Sequence, residues 1–275
     1  DENHGPESSK TVLIYMESVQ KPQKLLKHVR SMITKGCTFI GIKSGVSEAG
    51  AKAAASHTGA MATDDSAVQA LFDKAGIIRV ASKMELIDAA CALSALGHLP
   101  KGNRACIITD AGGPGVMLTD ELHRFGITLP ALFNKTIERL KEILPPVASL
   151  ANPIDCLPSR NAEQVKGMLD LLSAEESQTI DFVFFIVGNS GMSDNWEIYH
   201  EIIEGNKHWS IPVIPVFSSA TTCTNLLDKV KAAGRIYFSD EVAAGRAVGN
   251  LVNRPIISEQ PLDIPGYDRE EIART

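Results

Sequence analysis

His57 sits in the segment Ala53-Ala54-Ala55-Ser56-His57-Thr58-Gly59-Ala60, flanked on both sides by small residues. An imidazole is a capable phosphoryl acceptor, and small neighbours let such a loop move or pack closely against another surface. An exposed loop histidine with no role has the same local signature, so this segment alone leaves both readings open. A second segment, Thr109-Asp110-Ala111-Gly112-Gly113-Pro114-Gly115-Val116, follows an apolar run and opens a helical one. Its glycines allow close backbone approach, Pro114 suits a first helical turn, and free amides there favour an anion. No Gly-Lys-Ser/Thr follows, which excludes a Walker A loop. The third glycine and the spaced acidic residue of a dinucleotide fingerprint are absent too. A plain strand-to-helix turn is the competing reading. In Asn152-Pro153-Ile154-Asp155, the Asn and Asp side chains either cap a helix or line the carboxyl edge of a sheet. Glu17 closes the first apolar run and belongs at the same kind of edge. The other histidines form no H-x-x-x-H or H-E-x-x-H pair, and no metal site is expected.

These residues need a scaffold that turns strands into helices. Val12–Met16 reads as a strand, followed by a helix over Pro22–Lys35 and a strand over Thr38–Ile42. Residues 44–65 carry no apolar stripe and read as a small-residue loop. A helix over Ser66–Ala75, a short strand over Ile77–Val80 and a helix over Ser82–Leu96 complete the first half. Leu99–Asn103 is a polar hinge. Beyond it, strands are expected at Arg104–Thr109, Gly126–Leu129, Asp181–Val187, Ile211–Phe217 and Ile236–Phe238. Helices are expected at Gly113–Phe125, Thr136–Ile143, Ala162–Leu172, Trp196–Gly205, Cys223–Ala233 and Asp240–Val252. Short β-branched runs alternating with helix-length stretches mean parallel strands with crossover helices. Three strands are few for a stable open sheet, so the first half is read as part of a longer chain.

The chain has 275 residues, enough for roughly two domains. With 44% apolar and 22% charged residues it is ordinary globular material, and 5% aromatics disfavour an all-β sandwich. A net charge of −6 supplies no basic field for nucleic acid or an anionic membrane. Five scattered cysteines without a C-x-x-C pair suit reduced, buried thiols of a cytoplasmic protein. No apolar run is long enough to span a bilayer, and the acidic start is no signal peptide.

Taken in order, these segments resemble the ADP-forming acyl-CoA synthetases of the acetate–CoA ligase family, in the succinyl-CoA synthetase superfamily. Lys43-Ser44-Gly45, Glu48-Ala49-Gly50-Ala51, the histidine segment and Ala75-Gly76-Ile77-Ile78-Arg79-Val80 carry the likeness in the first half. Pro100–Arg104, Thr109–Gly115 and Asn152–Asp155 carry it in the second, so that it spans about residues 11–253. Ala62-Thr63-Asp64 departs from the more usual Ala-Gly. Asp110 stands where Asn is commoner and adds a negative charge.

The resemblance implies two flavodoxin-like, doubly wound parallel-sheet α/β domains. A partial one would hold the phosphohistidine segment at residues 10–99 and a full one would occupy 100–253, with 254–275 as a linker. It implies that His57 is phosphorylated and that Glu17 hydrogen-bonds its far ring nitrogen. Gly112, Gly113 and Gly115 would open one of two helices facing the phosphate. Ser56, Thr58, Asp110, Asn152 and Asp155 are further site candidates. Glu17, His57 and the glycine amides are expected to border one cleft. The family reaction converts acyl-CoA, phosphate and ADP to acid, CoA and ATP. The segment alone would bind no cofactor; CoA, ADP/ATP and Mg²⁺ belong to the complete enzyme. Its partners would be a CoA-binding domain and an ATP-grasp domain or subunit, in an oligomer, and the fragment alone would be inactive. Two other readings compete: a non-catalytic acyl-CoA-sensing module of a protein lysine acetyltransferase, and a flavodoxin-like flavin or nucleotide carrier. Retention of both His57 and Glu17 favours catalysis over the first. Only Trp196 and Trp209 are available to sandwich a flavin, and neither lies in a Gly-rich loop.

Overall fold

Parallel strands and crossover helices alternate along the chain, in a computed structural model that describes residues 4–5, 7–58, 64–188, 195–218 and 224–257. The chain divides into two compact units, residues 1–81 with 254–275, and residues 82–253.

In the first unit, β1 (Thr11–Met16), β2 (Thr38–Lys43) and β3 (Ile77–Arg79) form a parallel sheet in the order β1-β2-β3. Thr11 pairs with Thr38 and Phe39 with Ile77. Helices α1 (Pro22–Thr34) and α3 (Asp65–Ala75) supply Leu26, Val29, Val68 and Phe72 to a core with Phe39 and Ile77. Pro22 sits in the first turn of α1, where its missing N–H costs nothing. Asp64 caps α3, and Gly76 ends it in the left-handed region at φ +83°. Gly41 lets Phe72 lie on the sheet, since a Cβ there would meet the ring at 3.1 Å. Between β2 and α3 runs α2 (Glu48–Thr58). This corrects the expectation of a loop: the stretch has no apolar stripe, but its alanines are the strongest helix formers.

The second unit holds a four-stranded parallel sheet, ordered β5-β4-β6-β7. Its strands are β4 (Ala105–Thr109), β5 (Ile154–Asp155), β6 (Phe182–Val187) and β7 (Val213–Phe217). Every residue of β6 is buried, as suits an inner strand covered on both faces. Around the sheet lie α4 (Lys83–Leu96), α5 (Gly112–Arg124), α6 (Asn134–Ile143), α7 (Ala162–Glu175), α8 (Trp196–Gly205), α9 (Thr224–Ala232) and α10 (Glu241–Val252). Two expected strands shrink to single bridges, Arg104 with Thr128 and Val216 with Phe238. The first is bounded by Gly126 at φ +69° and by Pro130, which has no N–H for a ladder. The second is squeezed between Gly234 at φ +61° and the α10 cap Asp240. In their place Ile154 and Asp155, expected as a loop, pair with Ile108 and Thr109.

The division at Ala81/Ser82 falls before the Leu99–Asn103 hinge because α4 packs along α10. Helix α4 buries Ala89, Ala92, Leu93 and Leu96. On its other side α10 approaches α5 through two glycines. A Cβ at Gly249 would lie 2.3 Å from Cγ of Phe125, and one at Gly245 would lie 2.8 Å from Leu118 Cδ1. Gly249→Ala should therefore destabilise the unit by about 1–3 kcal/mol despite its better helix propensity, because the stiff root of a ring must move. Urea unfolding checks this: the midpoint falls while the m-value holds.

Candidate functional site

The carboxyl ends of β4, β5 and β6 converge in the second unit, where an open parallel sheet offers its crevice. After β4, the Oγ1 of Thr109 accepts the Ala111 N–H at 3.0 Å and donates to the Ala111 carbonyl at 2.7 Å. This tight turn launches α5 with Ala111 as an extended N-cap. Among the described residues the amides of Gly112 and Gly113 meet no acceptor, and Pro114 has no N–H. The Gly115 amide differs, donating to the Ala111 carbonyl at 3.4 Å. Gly115 serves packing, since a Cβ there would sit 3.1 Å from Thr109 Cγ2. Two free amides at the positive end of a helix dipole suit an anion.

Asp110, the middle residue of this turn, is buried, with its Oδ1 accepting the Gly188 N–H at the end of β6 at 2.5 Å. Its Oδ2 is 2.5 Å from Nη2 of Arg160, which is also buried. Burial pushes the Asp110 carboxyl up to about 6, opposed by Arg160 and the Gly188 amide and reinforced by Asp155. A Cβ at position 188 would stand 2.6 Å from Asp110 Oδ1, so a larger residue there would displace the carboxylate.

Asp155 faces Gly112, where a Cβ would lie 3.9 Å from its Oδ2. Its Oδ1 accepts the amide of Leu157, a residue at φ +66° in the turn leaving β5. The Cys156 thiol beside it is buried against the Thr109 carbonyl and pushed up to about 12 by burial and by Asp110. Such a thiol is inert. Asn152 goes elsewhere. Its side chain accepts the Ile107 amide and donates to the carbonyls of Ala105 and Pro130, stitching the edge of β4 to two loops. These bonds go to strand and loop backbone, so the capping reading of this segment does not hold for it.

In the first unit, Glu17 follows β1 directly, half-buried at the carboxyl edge, and the Met16 carbonyl before it accepts the Ser44 amide at 3.0 Å. Lys43 ends β2 with its ammonium buried, donating to the Gly45 carbonyl at 2.6 Å. His57 and Thr58 form the last turn of α2 rather than a loop; their side chains and residues 59–63 lie outside the described residues. The Ser56 hydroxyl donates to the Ala53 carbonyl of its own helix at 2.8 Å and stays exposed. Glu17, Ser56, His57 and Thr58 thus belong to one unit, while Asp110, Asn152, Asp155 and the glycine turn belong to the other.

Sequence reasoning gave no role to Arg160, Lys43, Gly188 or Asn195. An arginine in a polar loop looks like a solvated side chain, and only the β4–β5 pairing brings it to Asp110. Cys37 and Cys106 are buried free thiols and Cys91 is half-buried, while Cys223 lies outside the described residues. Among the described residues no group of three or more His, Cys, Asp or Glu could hold a metal ion. No helix among them is long and apolar enough to cross a membrane.

A family model described as the succinyl-CoA ligase like flavodoxin domain matches residues 4–93. The alpha subunit of the ADP-forming acetate–CoA ligase II of Pyrococcus furiosus is 35% identical over 271 residues, 96% of this chain and 51% of that one. The ADP-forming acetate–CoA ligase I of Archaeoglobus fulgidus is 33% identical over 245 residues, 89% of this chain and 34% of that one. The chain thus spans about a third to a half of the length of these curated relatives. Among solved structures, the dinucleotide-forming acetyl-coenzyme A synthetase 1 of Ca. Korarchaeum cryptofilum, in complex with phosphate and ADP, shares the fold. It superposes with a TM-score of 0.78 at 24% identity, over 88% of this chain and 52% of that one. A crystal structure of a Pyrococcus horikoshii protein matches with a TM-score of 0.73 at 26% identity, over 90% of this chain and 53% of that one.

Proposed function

Since this chain belongs to the ADP-forming acetate/acyl-CoA ligase family, with its succinyl-CoA ligase-like domain, we propose that it is the phosphotransfer segment of such an enzyme. The observation that carries the reading is the match of 96% of the chain to an alpha subunit of one of these ligases. The free amides of Gly112 and Gly113 add a place for an anion made without a basic patch.

The phosphoryl group passes through three successive bonds. A phosphate oxygen attacks the thioester carbonyl and the CoA thiolate leaves, giving an acyl phosphate. An imidazole nitrogen of His57 attacks the phosphorus and the carboxylate leaves. The terminal phosphate oxygen of ADP then takes the phosphoryl group, and neutral imidazole is regenerated. Glu17 holds the far ring N–H, which selects the tautomer and stabilises the phosphorylated imidazolium. Ser56 and Thr58 flank the nucleophile, and Gly112 and Gly113 receive the phosphate with Asp155 beside them. CoA, ADP and Mg²⁺ are assigned to a CoA-binding domain and an ATP-grasp domain or subunit. Among the described residues no group of three or more His, Cys, Asp or Glu is placed to hold Mg²⁺. A partner subunit follows from the reading as an alpha subunit.

The test reassembles the chain with a CoA-binding domain and an ATP-grasp partner, then adds acyl-CoA and radiolabelled phosphate. Acid-labile, base-stable label on this chain, discharged by ADP to ATP, is the expected result. A complex that binds CoA and ADP yet takes no label overturns the proposal and leaves an acyl-CoA-sensing role.

A further inference from the structure

Arg160 sits between β5 and α7, and its side chain is only 2% exposed. Its guanidinium reaches several strand ends. Nη1 donates to the Pro158 carbonyl and Nη2 to Asn195 Oδ1, each at 3.1 Å, and Nη2 also stands 2.5 Å from Asp110 Oδ2. Asp110, 1% exposed, passes the connection on to the Gly188 amide. The ends of β4, β5 and β6 and the start of α8 are thereby one network. Its geometry is incomplete: among the described residues neither Arg160 Nε nor Asp110 Oδ2 makes an aligned hydrogen bond. A buried ion pair adds little net stability by itself, because desolvating the two charges offsets their attraction.

Asp110 immediately precedes the Ala111 N-cap of α5, and the Gly112 and Gly113 amides that follow it are open. An unpaired carboxylate at Asp110 would oppose any anion arriving at those amides. We propose that Arg160 is a positioning residue for the phosphate turn: it cancels the Asp110 charge in place and ties the strand ends together, leaving the Gly112 and Gly113 amides as the field an incoming phosphate meets. This rests on the phosphate role given to that turn under the proposed function. The groups facing Asp110 are Arg160, Asp155, the Cys156 thiol and the Gly188 amide. Of these, Arg160 is the one cation. Removing it also lifts what holds the Asp110 carboxyl down, so its titration moves up and the unopposed anion emerges toward the alkaline end, where the loss must grow.

The test uses the full chain and inorganic phosphate, followed by the amide NMR signals of Gly112 and Gly113. Affinities are compared with the wild type at each pH from 6 to 8, so that ionisation of phosphate itself cancels. Arg160→Met should bind about tenfold more weakly at the upper end, with the deficit shrinking toward pH 6. Asp110→Asn combined with Arg160→Met should return to within about twofold of wild type with a flat ratio, since the pair is again neutral. Arg160→Lys, which keeps the charge, should stay within about threefold. Well-dispersed β6 amide signals report folding in every variant. Single-variant binding equal to wild type overturns the proposal. So does a folded double variant that fails to recover, or a Lys variant as weak as Met. If phosphate shifts neither glycine amide in the wild type, the turn is not the phosphate site and the proposal falls. The phosphohistidine reading would then still be decided separately by the label on His57.

Discussion

Changing His57 to asparagine is expected to remove all acid-labile label from the reassembled enzyme, while CoA and ADP still bind the complex. The imidazole is the group of this chain that bonds to phosphorus in the proposed sequence, and an amide nitrogen cannot replace it. The backbone at 57 lies in the last turn of α2, where asparagine is tolerated, so the helix should persist by circular dichroism. Label that survives the substitution would move the acceptor elsewhere in the chain. Glu17→Gln is the companion measurement. Loss of the carboxylate should slow labelling by on the order of 10²–10⁴-fold without abolishing it, because the nucleophile remains but its tautomer and cationic product are no longer held. An unchanged rate would separate Glu17 from His57.

A second large effect is expected in the dependence of stability on pH. Burial raises Asp110 from 3.8 in the unfolded chain to about 6 in the folded one. The folded state therefore holds this proton more tightly. Its stabilising contribution is complete below about pH 4 and disappears as pH rises through about 6. The shift corresponds to roughly 3 kcal/mol across that window. Asp181 acts in the opposite sense: hydrogen bonds from Arg104 lower its pKa, so its contribution is present above the unfolded value and fades below it. The two windows lie on different sides of about pH 4 and can be separated. Asp110→Asn should flatten the fall in stability between pH 4 and 6 in urea titrations. It should leave the acid limb set by Asp181 in place. A wild-type curve already flat across that window would show that Arg160 fully offsets the burial of Asp110.

Much of the fold was legible because its signals are local. β-Branched and aromatic runs marked β1, β2, β6 and β7, and the span Trp196–Gly205 is helical over the whole stretch expected. The helix starts expected at Ser66, Ser82, Ala162 and Asp240 fall within one residue of those observed, with Asp64, Ser82, Asn161 and Asp240 as their caps. What escaped was either weakly patterned or non-local. Helix α2 has small residues on every side, so periodicity could not reveal it, and β5 is two residues long with no pattern at all. Gly112, Gly113 and Gly115 look alike as letters, yet one of the three amides is already used within its own turn.

The amino-acid sequence by itself determined the alternation of strand and helix, the caps, the glycine turn after β4 and the family likeness, since each depends on residues near one another in the chain. Only the tertiary structure decided what the side chains at the strand ends do. Asp110 meets Arg160 and Gly188 because β4 lies between β5 and β6, and Asn152 turns inward to serve the backbone of β4. Charge, burial and hydrogen bonding at those positions come from neighbours distant in sequence, and strand order is what brings them together.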